Sequence, residues 1–320
     1  MNKEIKLIAL DLDGTLLNSS KEISKENRLA INAARQKGVQ VVLTTGRPLI
    51  AIQPFLKTLE MLDFEDFSIT FNGGLVQRNT GQILSKKSFS HDEILEIKEL
   101  TSNLGIPCDV LSEEKVYMTK SKIDSQYDTL NKLLTFIKVD FDQVPLDVVY
   151  NKIVSCTEKE LLDASLDKIP ESYFDQFEIF KTQAKLLEFM PKGINKAYGL
   201  TQLINQLNLK PENVMAMGDE ANDLSMISWA GYGVAMANAV PAVKEEARII
   251  SDLTNDQHAV AHIIEKYQKV LSLWDYQLKM LLSQFFLPQC FLQNQVKVAL
   301  KYFPILQNYF LKIVKYDSGH

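Results

Sequence analysis

The chain has 320 residues, of which 46% are hydrophobic, and a net charge of −5. That length allows one large or two ordinary domains, the apolar share excludes a disordered chain, and the acidic balance gives no electrostatic case for nucleic-acid binding. Three scattered cysteines, Cys108, Cys156 and Cys290, form no CxxC pair, which argues against a disulfide framework or a zinc site.

No stretch reaches the roughly 18 uncharged apolar residues that a membrane span needs. The segment around Lys3, Glu4 and Lys6 is not read as a signal peptide. A soluble, cytoplasmic protein is expected, with its oligomeric state undetermined.

Leu7-Ile8-Ala9-Leu10 is short and apolar and runs into turn chemistry, so it predicts a buried strand. Ser24 then reads as an N-cap, with Leu29, Ala30, Ala33 and Ala34 as the apolar helical stripe and Gly38 as the terminating residue. Val39 to Leu43 predicts a second buried strand, leading into Thr44-Thr45-Gly46-Arg47-Pro48, where Pro48 opens the next helix. Phe67 to Phe71 predicts a third, closed by Asn72-Gly73-Gly74. Strands and helices that alternate in this way, with continuously apolar strands, indicate a parallel sheet covered on both faces.

The rhythm changes after about residue 82. A helix over Asp92 to Leu104 precedes shorter strands at Val116-Tyr117-Met118 and Lys152-Ile153-Val154-Ser155. Charge is higher and alternation clearer there, as in a half-solvated antiparallel sheet, which predicts an inserted α+β unit. The first rhythm then resumes. Leu200, Leu203, Ile204 and Leu207 share a helix face; Val214 to Met217, Tyr232 to Met236 and Arg248 to Ser251 are strands, and 221–229 is helical.

The last fifty residues differ. No acid occurs between Asp275 and Asp317, while Lys279, Lys297, Lys301, Lys312 and Lys315 do, and Pro288 and Pro304 divide a leucine-rich, aromatic segment. It reads either as a partner-binding or membrane-surface extension, or as extra helices or a tail with no selected role. The second reading is preferred, because the apolar positions make no clean interfacial face.

Two acidic motifs carry the chemistry. Asp11-Leu12-Asp13-Gly14-Thr15 follows the first strand, and Gly218-Asp219-Glu220-Ala221-Asn222-Asp223 follows a later one. Carboxylates crowded at the end of a buried strand repel one another. A hard cation such as Mg²⁺ relieves this, because it takes oxygen ligands and leaves room for a substrate phosphate. The four histidines show no credible metal spacing.

The stretch IALDLDGTL, then LTTGRP at 43–48, Lys196 within GINKAYGL, and GDEANDLSM at 218–226 occur in an order that resembles the haloacid dehalogenase-like hydrolase superfamily. VAMANAVPAVKEEA at 234–247 is similar to its Cof-type branch, the YidA-like sugar phosphatases. The resemblance covers roughly residues 5–270 and stops before the basic tail.

It implies roles for individual residues. Asp11 becomes the candidate nucleophile, whose carboxylate attacks phosphorus to give an aspartyl-phosphate. Asp13 becomes the general acid/base, which phosphatases and phosphomutases of the superfamily possess and its dehalogenases and P-type ATPases lack. The Leu12 backbone N–H, Thr45, the Gly46 N–H, Lys196 and Asn222 would hold the phosphate. Asp219, Asp11 and the Asp13 backbone carbonyl would hold Mg²⁺, supported by Asp223. Arg47 pairs with substrate or insert, or makes a structural salt bridge; Asn72 contacts substrate or serves only as a turn residue. Taken singly, each has a bland alternative, such as a strand-end turn cap for Asp11 or a solvated helix N-terminus for Asp219 and Asp223.

The expected architecture is a three-layer, Rossmann-like α/β core with a parallel sheet (residues 1–82 and 190–270), an inserted α+β cap of the C2 type (83–189), and a C-terminal extension (271–320). The expected activity is Mg²⁺-dependent hydrolysis of small phosphorylated metabolites, sugar phosphates in particular. A phosphomutase using the same aspartates and a non-enzymatic phosphosugar sensor are the rivals. The only partner expected is a small phosphorylated substrate.

Overall fold

Leu7–Leu10 is buried at every position, as a strand covered on both faces must be, and forms β1. The structure, a computed structural model, describes residues 4–113, 115–130 and 132–267. The segment 271–320, read above as an extension, lies outside the described residues. β2 (Gln40–Thr44), β3 (Phe67–Thr70), β4 (Leu75–Arg78) and β5 (Ile83–Lys86) follow β1 in its sheet. A second sheet takes β6 (Cys108–Ser112), β7 (Lys115–Thr119), β8 (Thr135–Val139), β9 (Lys152–Cys156), β10 (Phe177–Gln183) and β11 (Leu186–Pro191). The chain then returns to the first sheet with β12 (Val214–Gly218), β13 (Tyr232–Ala235) and β14 (Ile249–Ile250).

The first sheet has eight strands in the order β14-β13-β12-β1-β2-β3-β4-β5. From β14 to β3 every pairing is parallel. β3–β4 and β4–β5 are antiparallel. The sheet is therefore parallel only in part: a tight turn at Phe71–Gly74 replaces a helical crossover, so β4 must run back along β3. The eight-stranded sheet reaches Lys86 and the six-stranded sheet reaches Pro191, so the two crossings lie just beyond these residues.

The helices form for local reasons. Ser24 accepts the Asn27 N–H and caps helix Lys25–Gln36, whose exit is the left-handed Gly38 (φ +81°). Its inward face is Asn27, Ala30, Ile31 and Ala34. Leu29, expected on that face, is exposed, because the buried stripe runs one position out of phase with it. Pro48 stands at the cap of helix Leu49–Thr58.

The second sheet, ordered β10-β11-β9-β6-β7-β8, is antiparallel except at β7–β8. One face packs Val110, Tyr117, Ile153 and Phe189 against helix His91–Leu104, which starts in a Ser90–Glu93 capping box. The other face packs Val116, Val154, Cys156 and Leu186 against Phe71 in the turn after β3, Leu75 of β4 and Ile194. The inserted sheet is thus fixed over the carboxyl-terminal side of β3 by apolar contact.

One acid sits inside this cap. Asp109 on β6 is fully buried, accepts a hydrogen bond from the Ser125 hydroxyl, and has a second carboxylate oxygen with no partner among the described residues. Burial pushes its carboxyl up to about 7 against the pull of that hydroxyl. The folded chain therefore holds this proton more tightly than the unfolded chain, and stability is lost as pH rises from the ordinary carboxylate range through 7. Asp109→Asn should be at least as stable as the parent at pH 8, with the advantage much smaller at pH 5. Thermal melts at the two pH values check this; an offset that does not vary with pH would contradict it.

Candidate active site

Parallel pairing in register brings distant residues to one edge. Leu10 of β1 lies beside Met217 of β12 and Leu43 of β2. Asp11 continues the ladder by donating its N–H to the Met217 carbonyl at 3.0 Å, and Asp219 follows Gly218 directly, so the two acids emerge from neighbouring strands. Thr45, one residue past β2, donates to the Ile69 carbonyl at 2.9 Å, and Asn72, just past β3, donates to the Thr45 carbonyl at 3.0 Å. In open α/β sheets such carboxyl ends are where ligands bind.

Asp11, Asp219 and Asp223 are all buried, and each offers an oxygen within 4.8 Å of the others. Lys196 opens helix Lys196–Gln206 and is fully buried between two of them. Its Nζ donates to Asp11 Oδ1 at 2.5 Å and to Asp223 Oδ1. Burial and the Asp223 charge push the Asp11 carboxyl well above its ordinary range, despite Lys196. Burial and the same neighbour raise Asp219 to about 7. Burial works against the Lys196 ammonium, but Asp11 and Asp223 outweigh it and hold it above its usual value. Three acids thus share one ammonium, and a divalent cation fits this excess of oxygen ligands.

The cluster is held by its surroundings. Asp223 Oδ2 accepts the N–H groups of Asp219 (2.9 Å) and Glu220 (3.1 Å), so this side chain shapes the loop while its other oxygen takes Lys196. Thr15 donates its hydroxyl to Asp219 Oδ1 at 2.8 Å, and Asn238 Nδ2 reaches the Gly14 carbonyl at 2.8 Å and Asp219 Oδ2 at 3.4 Å. Gly14 has φ +84°, and a Cβ there would lie 2.1 Å from Asp219 Oδ2, so only glycine allows this approach.

Asp13 points elsewhere. Arg47 grips its carboxylate with both fork nitrogens, Nε to Oδ2 at 2.8 Å and Nη2 to Oδ1 at 2.7 Å, and Lys21 adds a third bond at 2.8 Å. Burial opposes the charge, yet Arg47 and Lys21 hold the carboxyl below its ordinary value. Arg47 thus forms a salt bridge with Asp13. Asp11, Asp13, Thr45, Gly46, Arg47, Asp219 and Asn222 line one cavity of about 690 Å³. Leu12, Asn72, Lys196 and Asp223 are buried. Asn72 nevertheless accepts from Asn222 Nδ2 at 3.2 Å and so joins the lining from behind.

The sequence profile of the haloacid dehalogenase-like hydrolases matches residues 8–264. The chain belongs to this family. It is 34% identical over 265 residues to the candidate phosphatase YxeH of Bacillus subtilis, an alignment that covers 82% of this chain and 97% of that one. It is 33% identical over 267 residues to the 5-amino-6-(5-phospho-D-ribitylamino)uracil phosphatase YcsE of the same organism, covering 82% and 96%. Among solved structures, a haloacid dehalogenase-like hydrolase from Bacteroides thetaiotaomicron superposes with a TM-score of 0.72 at 32% identity, over 82% of this chain and all of that one.

Several residues of this haloacid dehalogenase-like hydrolase escaped the sequence reading. Thr15 and Asn238 sat inside quoted motifs, but their hydrogen bonds to Asp219 depend on which loops meet. Lys21 had no signal at all. Lys152 and Glu188, from the inserted sheet, also line the cavity; a single charge inside the apolar runs KIVSC and LLEFMP was the available clue. Among the described residues no helix is long and apolar enough to cross a membrane.

Removing the buried ammonium should expose the crowding of the acids. Lys196→Met should cost about 3–5 kcal/mol of stability at pH 8 in a chelator. The loss should shrink toward pH 5, because Asp11 and Asp219, whose carboxyls are already raised, take up protons there. Denaturant melts at both pH values decide it; an equal loss at each would mean that the acids are not what Lys196 offsets.

Proposed function

We propose that this haloacid dehalogenase-like phosphatase hydrolyses phosphomonoesters of small metabolites, sugar phosphates among them, with Mg²⁺ bound and through an aspartyl-phosphate on Asp11. The supporting observation is the shared end of β1 and β12, which gathers three buried acids and one lysine around the same point of the cavity floor. YcsE is named for a phosphorylated ribitylaminouracil, which favours a small, hydroxylated phosphomonoester as the class of substrate.

Asp11 attacks in its ionised form, so its raised proton affinity has first to be offset by positive charge at the acid cluster. Asp11, Asp219 and the Asp13 carbonyl would hold Mg²⁺, which would supply that positive charge beside the substrate phosphate. Lys196 touches the nucleophile and offsets the charge that grows between it and phosphorus. Thr45, the backbone N–H groups of Leu12 and Gly46, and Asn222 donate to the phosphoryl oxygens from the ends of three strands. Asp13 protonates the leaving oxygen, then takes a proton from the attacking water. To carry that first proton its carboxyl must leave the Arg47 fork, so substrate entry has to displace Arg47 or turn Asp13.

Asp11→Asn should lower phosphate release by more than about a thousandfold while the melting profile stays intact. Wild-type turnover in that variant would remove Asp11 from the role of nucleophile. EDTA should stop phosphate release, Mg²⁺ should restore it, and Ca²⁺ should do so poorly, because its larger and looser shell misplaces the attack. Full activity with Ca²⁺ would count against the proposed alignment. Free phosphate as product separates hydrolysis from transfer to a sugar.

A further inference from the structure

Two opposite charges are buried in the ceiling of the cavity. Lys152 on β9 and Glu188 on β11 have side chains 2% and 4% exposed and form an ion pair of 2.9 Å. Apolar residues of similar volume would suit the surrounding cluster of Val154, Leu186 and Met190 at least as well, since a buried pair seldom repays its desolvation. Its retention there has a reason in its other contacts.

Those contacts reach the phosphate side of the site. Lys152 Nζ donates to the Gly46 carbonyl at 2.9 Å, and Glu188 Oε2 accepts from Asn72 Nδ2 at 3.0 Å, while Asn72 accepts from Asn222. A polar chain thus runs from the inserted sheet to the loops after β2, β3 and β12. An ammonium has three N–H donors, and the bonds to Gly46 and Glu188 use two of them. Each carboxylate oxygen of Glu188 takes one bond and can accept another. The pair therefore offers one donor and two acceptor positions at a wall shared with Asp11 and Asp13. Hydroxyl groups, each a donor and an acceptor at once, match that demand; a planar aryl group does not.

We infer that Lys152 and Glu188 bind hydroxyls of the leaving group and thereby select phosphates of polyols and sugars over aryl phosphates. This rests on the phosphatase reading above and adds the two residues that discriminate among its substrates. A site built to hydrogen-bond a hydroxyl disfavours analogues that lack it, because its own buried groups are left unpaired.

The test compares kcat/KM for sorbitol 6-phosphate and p-nitrophenyl phosphate, in the full chain with Mg²⁺. In Glu188→Gln the ratio of the two values should fall at least about tenfold, through a higher KM for the polyol phosphate. The double variant Lys152→Gln/Glu188→Gln leaves no unpaired charge, so it keeps the question answerable if the single variant unfolds. A ratio unchanged in the folded variants, whether both activities drop together or neither does, would reduce the pair to a brace for the phosphate loop and overturn the inference while leaving the phosphatase reading intact. Failure of the unaltered chain to release phosphate from either compound would instead overturn the parent reading, and this one with it.

Discussion

The repulsion among Asp11, Asp219 and Asp223 governs this molecule. Three carboxylates out of water would push their own proton affinities up, and for Asp11 and Asp219 this is the state of the site. One lysine partly offsets them, and that lysine is itself buried and tied to two of the three. Nothing in a stable core requires such an arrangement, since apolar residues would serve the sheet better. Strongly perturbed acids gathered in a cleft are the mark of a functional site, not of a packing solution.

The rest of the fold serves that crowding. Parallel pairing of β1 with β12 and β2 aligns the carboxyl ends of strands from both halves of the sequence. The tight turn after β3 keeps Asn72 at the same edge and sends β4 back antiparallel, which is where the sheet departs from a purely parallel one. The inserted sheet packs its apolar inner face on Phe71 and Leu75 and closes the cavity with Lys152 and Glu188. Apolar contact fixes where the inserted sheet stands, and the few charges within that contact face the cavity.

Asp13 and Arg47 show how a site residue can be legible while its state is not. Both lie in motifs that mark them for chemistry, yet only the folded chain joins them in a two-pronged ion pair with Lys21 alongside. Spacing along a strand says that Asp11 and Asp13 are close to each other. It does not say which way a carboxylate turns, because that depends on cations supplied from other loops.

Much of the architecture could be read directly from residues. Short apolar runs ending in turn chemistry marked β1, β2, β3 and β12, since a buried parallel strand must be apolar on both faces and its ligand end must be polar. Ser24 and Gly38 marked helix ends, because capping is a local matter settled by neighbouring backbone groups. Leu29 was misplaced because a stripe of helical spacing can be drawn through several faces, and only packing chooses among them. Thr15, Asn238, Lys152 and Glu188 acquired their partners solely through tertiary structure: each hydrogen-bonds a group far along the chain or on another sheet. Local sequence determines strands, caps and motif order, for these depend on nearby atoms. Long-range folding decided which charges face each other, since such pairings form only when separate segments close around the same buried point.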